Sequence, residues 1–187
     1  ETGLYISSDA GETWKKQSAV MNVVARPFYF STIVVDPRDP KRVYRPAYNF
    51  SFSNDGGYSF GEANNEGGWL HSDMHALWIN PNNTSQLYLG TDGGVYVSLD
   101  RGATWMFLQS LPVGQFYHVA VDKATPYNIM GGLQDNGSWI APSAAPGGVG
   151  NANWFALLGG DGFWVQPDPL DPQIVYAESQ GGNINLS

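Results

Sequence analysis

Ser98-Leu99-Asp100-Arg101-Gly102-Ala103-Thr104-Trp105 holds, in eight residues, the ingredients of one kind of tight turn. An aspartate there can accept backbone N–H groups of its own turn. The glycine takes a backbone conformation that a Cβ hinders. The closing aromatic covers the turn and packs against a neighbour. The pattern Ser-x-Asp-x-Gly-x-Thr/Ser-aromatic occurs twice more, as Ser7-Ser8-Asp9-Ala10-Gly11-Glu12-Thr13-Trp14 and Ser53-Asn54-Asp55-Gly56-Gly57-Tyr58-Ser59-Phe60. Asp9, Asp55 and Asp100 stand 46 and 45 residues apart. Asp9, Gly11, Trp14, Asp55, Gly57, Phe60, Asp100, Gly102 and Trp105 therefore read as structural residues of a repeat, not as catalytic ones.

A second marker keeps the same beat. Ile33-Val34-Val35-Asp36-Pro37, Leu77-Trp78-Ile79-Asn80-Pro81, Val119-Ala120-Val121-Asp122 and Trp164-Val165-Gln166-Pro167-Asp168-Pro169 each precede a second short apolar run. The marker positions 36, 80, 122 and 168 are 44, 42 and 46 residues apart. Two independent markers of one period point to a propeller or solenoid. Each unit divides into four short strands. They are exemplified by Ser31 to Val35 or Ala76 to Ile79 for the first, Gln86 to Gly90 for the second, Val95 to Ser98 for the third and Thr104 to Leu108 for the fourth. Asp92-Gly93 and Asn136-Gly137 are two-residue hairpin signals, which accounts for Asp92 and Asp135 as turn residues. A four-stranded meander of this length is a propeller blade.

The expected fold is all-β, a β-propeller of four-stranded antiparallel blades, and a partial one of about four blade equivalents. Residues 1–27 end one blade, 28–70, 71–112 and 113–158 make three more, and 159–187 start the next. The 113–158 blade lacks the aspartate turn and carries a Pro/Gly/Ala-rich loop insertion at 141–153, after which Trp154-Phe155 restores the outer strand. Both ends fall at a third strand, which reads as a piece of a larger ring, the alternative being a four-bladed ring closed by its own ends.

Composition agrees. Charged residues are only 14%, too few for long surface helices, while 23 glycines and 14% aromatics suit strands and turns. Nine basic residues against seventeen acidic ones, net charge −8, leave no basic cluster for nucleic acid or anionic membrane. There is no cysteine, so disulfides and thiolate metal sites are out. No apolar run is long enough to span a membrane. An acidic, Trp-rich, Asn/Gly-rich β chain without cysteine reads as a bacterial exported or cell-envelope protein. No cofactor is expected. Sequons occur at Asn49, Asn82, Asn83, Asn136 and Asn185.

At its three aspartate turns the chain resembles the BNR/Asp-box superfamily, and most of all its sortilin-like and xyloglucanase-like exported bacterial repeat proteins. His75-Ala76-Leu77-Trp78-Ile79-Asn80-Pro81, Gly90-Thr91-Asp92-Gly93-Gly94-Val95-Tyr96 and Gly131-Gly132-Leu133-Gln134-Asp135-Asn136-Gly137 share in the likeness. The resemblance implies fold more than function, because one propeller hosts many activities. Sialidase chemistry, as the resemblance describes it, needs an arginine cluster with a Tyr-Glu pair, and Arg26, Arg38, Arg42, Arg45 and Arg101 supply no matching set.

Xyloglucanase-type cleavage would need two opposed carboxylates roughly 6.5–9.5 Å apart for inversion. Asp73 and Asp161 are the candidates, each seven residues before its blade's marker, with Gln115 at the same place between them. As a binding set, His71, Asp73, His75, Gln115 and Asp161 cluster at the inner strand ends. His71, Asp73 and His75 alternate, so in a strand they share a face and have a spacing feasible for metal, with His118 able to join them. Trp69, Phe116, Tyr117, Trp139, Trp154 and Phe163 fall at loops or axial ends and suit protein or glycan contact.

Three functions follow as expectations. The first is a non-catalytic propeller that binds or scaffolds protein or glycan, its partners being other protein chains, the rest of a larger propeller, or polysaccharide. The second is a glycoside hydrolase of xyloglucanase type using Asp73 or Asp161. The third is a sortilin-like receptor for peptides.

Overall fold

A computed structural model describes residues 1–63, 70–111, 113–171 and 173–186. Trp69 therefore lies outside the described residues. In chain order the elements are β1 (Leu4–Ile6), β2 (Lys15–Ser18), the single helical turn α1 (Met21–Val24), β3 (Val34–Asp36), β4 (Asp39–Pro46), β5 (Phe50–Ser53), β6 (Gly61–Glu62), β7 (Met74–Ile79), β8 (Leu87–Thr91), β9 (Gly94–Ser98), β10 (Met106–Phe107), β11 (Phe116–Val121), β12 (Asn128–Leu133), β13 (Ser138–Pro142), β14 (Phe155–Leu158), β15 (Gly162–Pro167), β16 (Val175–Ser179) and β17 (Asn183–Leu186). A 3-10 turn at Asn151–Asn153 precedes β14. The chain is all-β, and every strand pair is an antiparallel meander: β1-β2, β3-β4-β5-β6, β7-β8-β9-β10, β11-β12-β13-β14 and β15-β16-β17. Three of these are four-stranded sheets of the propeller-blade kind. The chain falls into two compact units, 1–111 and 112–187.

The first strand of the second sheet and the fourth strand of the third are shorter than the sequence suggests, while β7 begins at Met74, two residues before the expected Ala76. The first strand of the second sheet starts at Val34 and not at Ser31, because the chain before it is anchored elsewhere. The Phe30 carbonyl accepts a 2.7 Å bond from Arg45 Nη2. The fourth strand of the third sheet starts at Met106 and not at Thr104, because Asp100 holds the Thr104 amide and hydroxyl inside the turn.

That turn is built alike three times. Ser98 Oγ donates to Asp100 Oδ1 at 2.8 Å and accepts from the Gly102 amide at 2.8 Å. Asp100 Oδ1 accepts from the Thr104 amide at 2.8 Å, and Oδ2 from the Thr104 hydroxyl. Ser7, Asp9, Gly11 and Thr13 repeat the set, as do Ser53, Asp55, Gly57 and Ser59. The glycines take φ of +94°, +91° and +86° at Gly11, Gly57 and Gly102, a region that costs an L-residue about 1–2 kcal/mol. The donors hold the carboxylates low. Thr13 brings Asp9 to about 2, and Ser59, through its hydroxyl and its amide, depresses Asp55 further. At Asp100 burial pushes up, but the Thr104 and Ser98 bonds outweigh it.

The closing aromatics differ. Trp105 is buried edge-on against Phe50, with ring centroids 5.0 Å apart. Trp14 is 62% exposed, so it does not pack between sheets as the turn pattern suggests. Its indole instead donates back to the Gly11 carbonyl at 3.1 Å.

Strand alternation sets the cores. In β8, Leu87 and Leu89 are fully buried while Tyr88 between them is exposed, as a period of two requires. With Tyr44, Phe50, Met74, Ile79, Tyr96 and Trp105 they form the core of the first unit. Burying a leucine of this kind contributes about 1.5–3 kcal/mol. In the second unit Met130, Val165, Val175 and Ala177 form the core between β11-β14 and β15-β17.

Candidate functional site

Positions 73, 115 and 161 are the same position of the repeat, and the backbone says so. The carbonyls of Asp73, Gln115 and Asp161 accept from the amides of Asp92, Gln134 and Gln180, at 3.1, 3.0 and 3.1 Å. Each bond closes the open end of a sheet's first hairpin, so each residue stands where an inner strand begins.

In the first unit Asp73 is a left-handed turn residue with φ +58°, just ahead of β7. Its amide donates to the Tyr48 carbonyl of the preceding sheet, and the next amide, of Met74, donates to that of Ala47. Its carboxylate accepts from Ser72 Oγ at 3.1 Å and lies 3.4 Å from Arg26 Nη1. His75 Nε2 lies 3.0 Å from Asp92 Oδ1. The His75 ring packs against Tyr29 and Phe30, with centroids 5.3 and 5.5 Å away. His71 lies outside β7, its Nδ1 2.9 Å from the Ser72 carbonyl, and its ring covers Gly93 so closely that a Cβ there would meet it at 2.4 Å.

His71, Asp73 and His75 therefore do not share one strand face. The left-handed kink at Asp73 breaks the alternation on which their metal spacing rests. Among the described residues no three His, Cys, Asp or Glu side chains gather as a metal site would need.

In the second unit Asp161 Oδ1 accepts the Asp135 amide at 2.9 Å, and the Gly160 carbonyl accepts the Gly137 amide at 2.6 Å. The inner end of one sheet thus caps the β12-β13 turn of the sheet before it. Two residues on, Tyr117 of β11 stacks on Phe163 of β15, centroids 4.8 Å apart and rings 5° from parallel. Next to them His118 stacks on Trp164 at 3.8 Å and 15°. Tyr117 is 38% exposed and Trp164 53%. The Tyr117 hydroxyl is held above its ordinary range, first by lost solvation and then by the charges of Asp161 and Asp135. Phe116 and Trp154 pair more loosely, at 6.2 Å. Trp139 spends its N–H on the Asn136 carbonyl at 2.6 Å. The second unit therefore presents flat aromatic pairs beside the Asp161 carboxylate, a surface able to stack on a ligand.

The sequence reading missed the connector between β2 and β3. It brings Arg26, Tyr29 and Phe30 onto Asp73 and His75, with Arg26 over both rings at 5.2 and 5.3 Å. The connector carries neither repeat marker, so no periodic signal singled it out. Trp164 had a signal: like His118 it stands four residues before its marker.

No family model matches this chain, and no curated protein matches its sequence. Among solved structures it is similar to the GH74 xyloglucanase from Xanthomonas campestris, at 18% identity and TM-score 0.36, over 82% of this chain and 27% of that one. An ancestral GH74 enzyme aligns at 14% identity and TM-score 0.35, over 99% of this chain and 33% of that one. YCF48 bound to D1 peptide aligns at 14% identity and TM-score 0.42, over 96% of this chain and 70% of that one. The chain spans a third or less of the length of the two GH74 enzymes.

Proposed function

We propose that this chain is a non-catalytic stretch of Asp-box β-propeller that binds protein or glycan in an exported or cell-envelope protein of bacterial type. The observation that carries the reading is the use of the side chains. The two candidate acids do structural work, Asp161 on the Asp135 amide and Asp73 beside Arg26 and Ser72. The exposed surface beside Asp161 is aromatic, with the Tyr117–Phe163 and His118–Trp164 stacks. A general acid and its partner must be free to meet a glycosidic oxygen and a water. A stacking platform needs only exposed ring faces and nearby acceptors. Three turns of one build, each saturating its aspartate, support the Asp-box assignment. Composition supports export.

The test is titration calorimetry of the chain against xyloglucan oligosaccharides and a library of extended peptides, with Trp164→Ala as the control. Saturable binding by one of these ligand classes, weakened at least tenfold by Trp164→Ala, is the expected result. Release of reducing ends from xyloglucan, abolished by Asp161→Asn or Asp73→Asn, would replace this reading with the hydrolase one.

A further inference from the structure

The first unit shows how one sheet of this chain receives the next. Sheet β3-β6 is covered by β7-β10 through charged and apolar contacts, with Arg42 Nη2 also donating to the Arg101 carbonyl at 2.8 Å. Arg101, directly after the aspartate of its turn, places Nη2 2.7 Å from Asp36 Oδ2 and 3.4 Å from Asp39 Oδ2. Beside it Trp105 packs on Phe50, and the Tyr44 hydroxyl donates to the Arg101 carbonyl at 3.4 Å. Under this cover Tyr44 and Phe50 are 0% and 2% exposed.

Among the described residues, sheet β15-β17 repeats the receiving face without the cover. Asp168-Pro169-Leu170-Asp171-Pro172 is the twin of Asp36-Pro37-Arg38-Asp39-Pro40. Strand register carries the correspondence further. Tyr44 pairs with Phe52 and Pro46 with Phe50, while Tyr176 pairs with Leu186 and Glu178 with Ile184. Tyr176, Ile184 and Leu186 thus hold the places of Tyr44, Phe50 and Phe52, and they are 40%, 71% and 65% exposed. The Tyr176 hydroxyl reaches Asp168 Oδ2 at 3.2 Å, on the oxygen whose twin in Asp36 takes the guanidinium. Asp168 Oδ1 accepts the amides of Leu170 and Asp171 at 2.8 and 3.1 Å. Asp171 Oδ1 accepts that of Gln173 at 3.0 Å.

The third sheet supplies an internal control. Its corresponding turn is Asn80-Pro81-Asn82-Asn83, with amides for carboxylates, and the sheet that follows in sequence has no aspartate turn and no Arg or Lys in 141–153. Asp36 and Asp39 are thus followed by a sheet with an arginine at its turn, and Asn80 and Asn83 by one without.

We propose that the face formed by Asp168, Asp171, Tyr176, Ile184 and Leu186 receives a further blade of the same polypeptide, carried beyond Ser187 and bearing an arginine directly after its turn aspartate. Charge complementarity and the apolar match select this occupant. The chain's own β1-β2 is a poorer fit, because Ala10 stands where the arginine is needed. This inference does not depend on the binding reading above.

The experiment begins with the intact mass and peptide sequence of the native polypeptide. Asp36 and Arg101 are 65 residues apart, so an Asp-Arg-Gly turn is expected about 65 residues after Asp168. In that polypeptide the Asp168→Asn/Asp171→Asn double variant should speed amide exchange in β16 and β17 at least tenfold. The same change in residues 1–187 alone should leave those rates within about twofold. A polypeptide that ends at Ser187, an extension without that arginine, or exchange indifferent to the double variant overturns the proposal. Concentration-dependent dimerisation of residues 1–187 that Ile184→Ser abolishes would assign the face to a second copy instead.

Discussion

Gly11 and Gly102 hold one place of the repeat with nearly one backbone angle, φ +94° and +86°, but in different surroundings. A Cβ on Gly11 meets nothing nearer than Trp14 Cζ2 at 3.9 Å, an ordinary contact. A Cβ on Gly102 meets Phe50 Cε1 at 2.9 Å and Trp105 Cζ2 at 3.3 Å, inside the core of the first unit. Alanine at Gly11 therefore costs backbone strain alone, about 1–2 kcal/mol. Alanine at Gly102 adds overpacking of about 1–3 kcal/mol, for roughly 2–5 kcal/mol together. Both lie in one compact unit, so urea unfolding followed by tryptophan fluorescence reads both on one scale. The expected result is a midpoint for Gly102→Ala well below that of Gly11→Ala, itself below the parent, with unchanged slopes. Equal losses in the two variants would refute the packing argument. Losses under about 0.5 kcal/mol in both, the ordinary range for surface changes, would refute the left-handed conformation as the reason for glycine.

Two further outcomes are expected. The turn aspartates are depressed in the folded chain, so they bind fewer protons there than when unfolded. Their stabilisation is full above the unfolded value of about 4 and is lost as pH falls through the folded one. With Asp9 at about 2, the melting temperature should drop between pH 4 and 2, and less steeply in Asp9→Asn/Asp55→Asn. A flat melting temperature there would show that the turns do not hold their carboxylates. Arg45, 2% exposed, donates to the carbonyls of Val23, Ala25 and Phe30. Arg45→Met strands those acceptors and should cost roughly 2–6 kcal/mol, at about 1–3 for each of the two buried ones, the carbonyls of Val23 and Phe30. It should also open 19–33 to limited proteolysis. An uncleaved connector in that variant would mean that Arg45 does not hold it.

The sequence by itself determined the repeat, the strand order within each sheet and the three aspartate turns. Their physical basis is local. Ser98, Asp100, Gly102 and Thr104 bond to partners at most four residues away, and a hairpin pairs neighbours, so a pattern of spacing carries that information. Even there a local pattern overreached: alternation put His71, Asp73 and His75 on one face, and one left-handed residue undid it. What only the tertiary structure decided is where each side chain is spent. Asp161 meets the Asp135 amide 26 residues away, Asp73 meets Arg26 47 residues away, and Trp164 lies flat on His118 of another strand. Those contacts cross from sheet to sheet or reach the connector between β2 and β3, which carries neither repeat marker. Their geometry comes from how sheets stack and where that connector is pinned, and neither leaves a period in the chain. Trp14 and Trp105 close the same turn pattern, yet one is exposed and the other buried, because burial belongs to the neighbour that covers a residue and not to the residue itself.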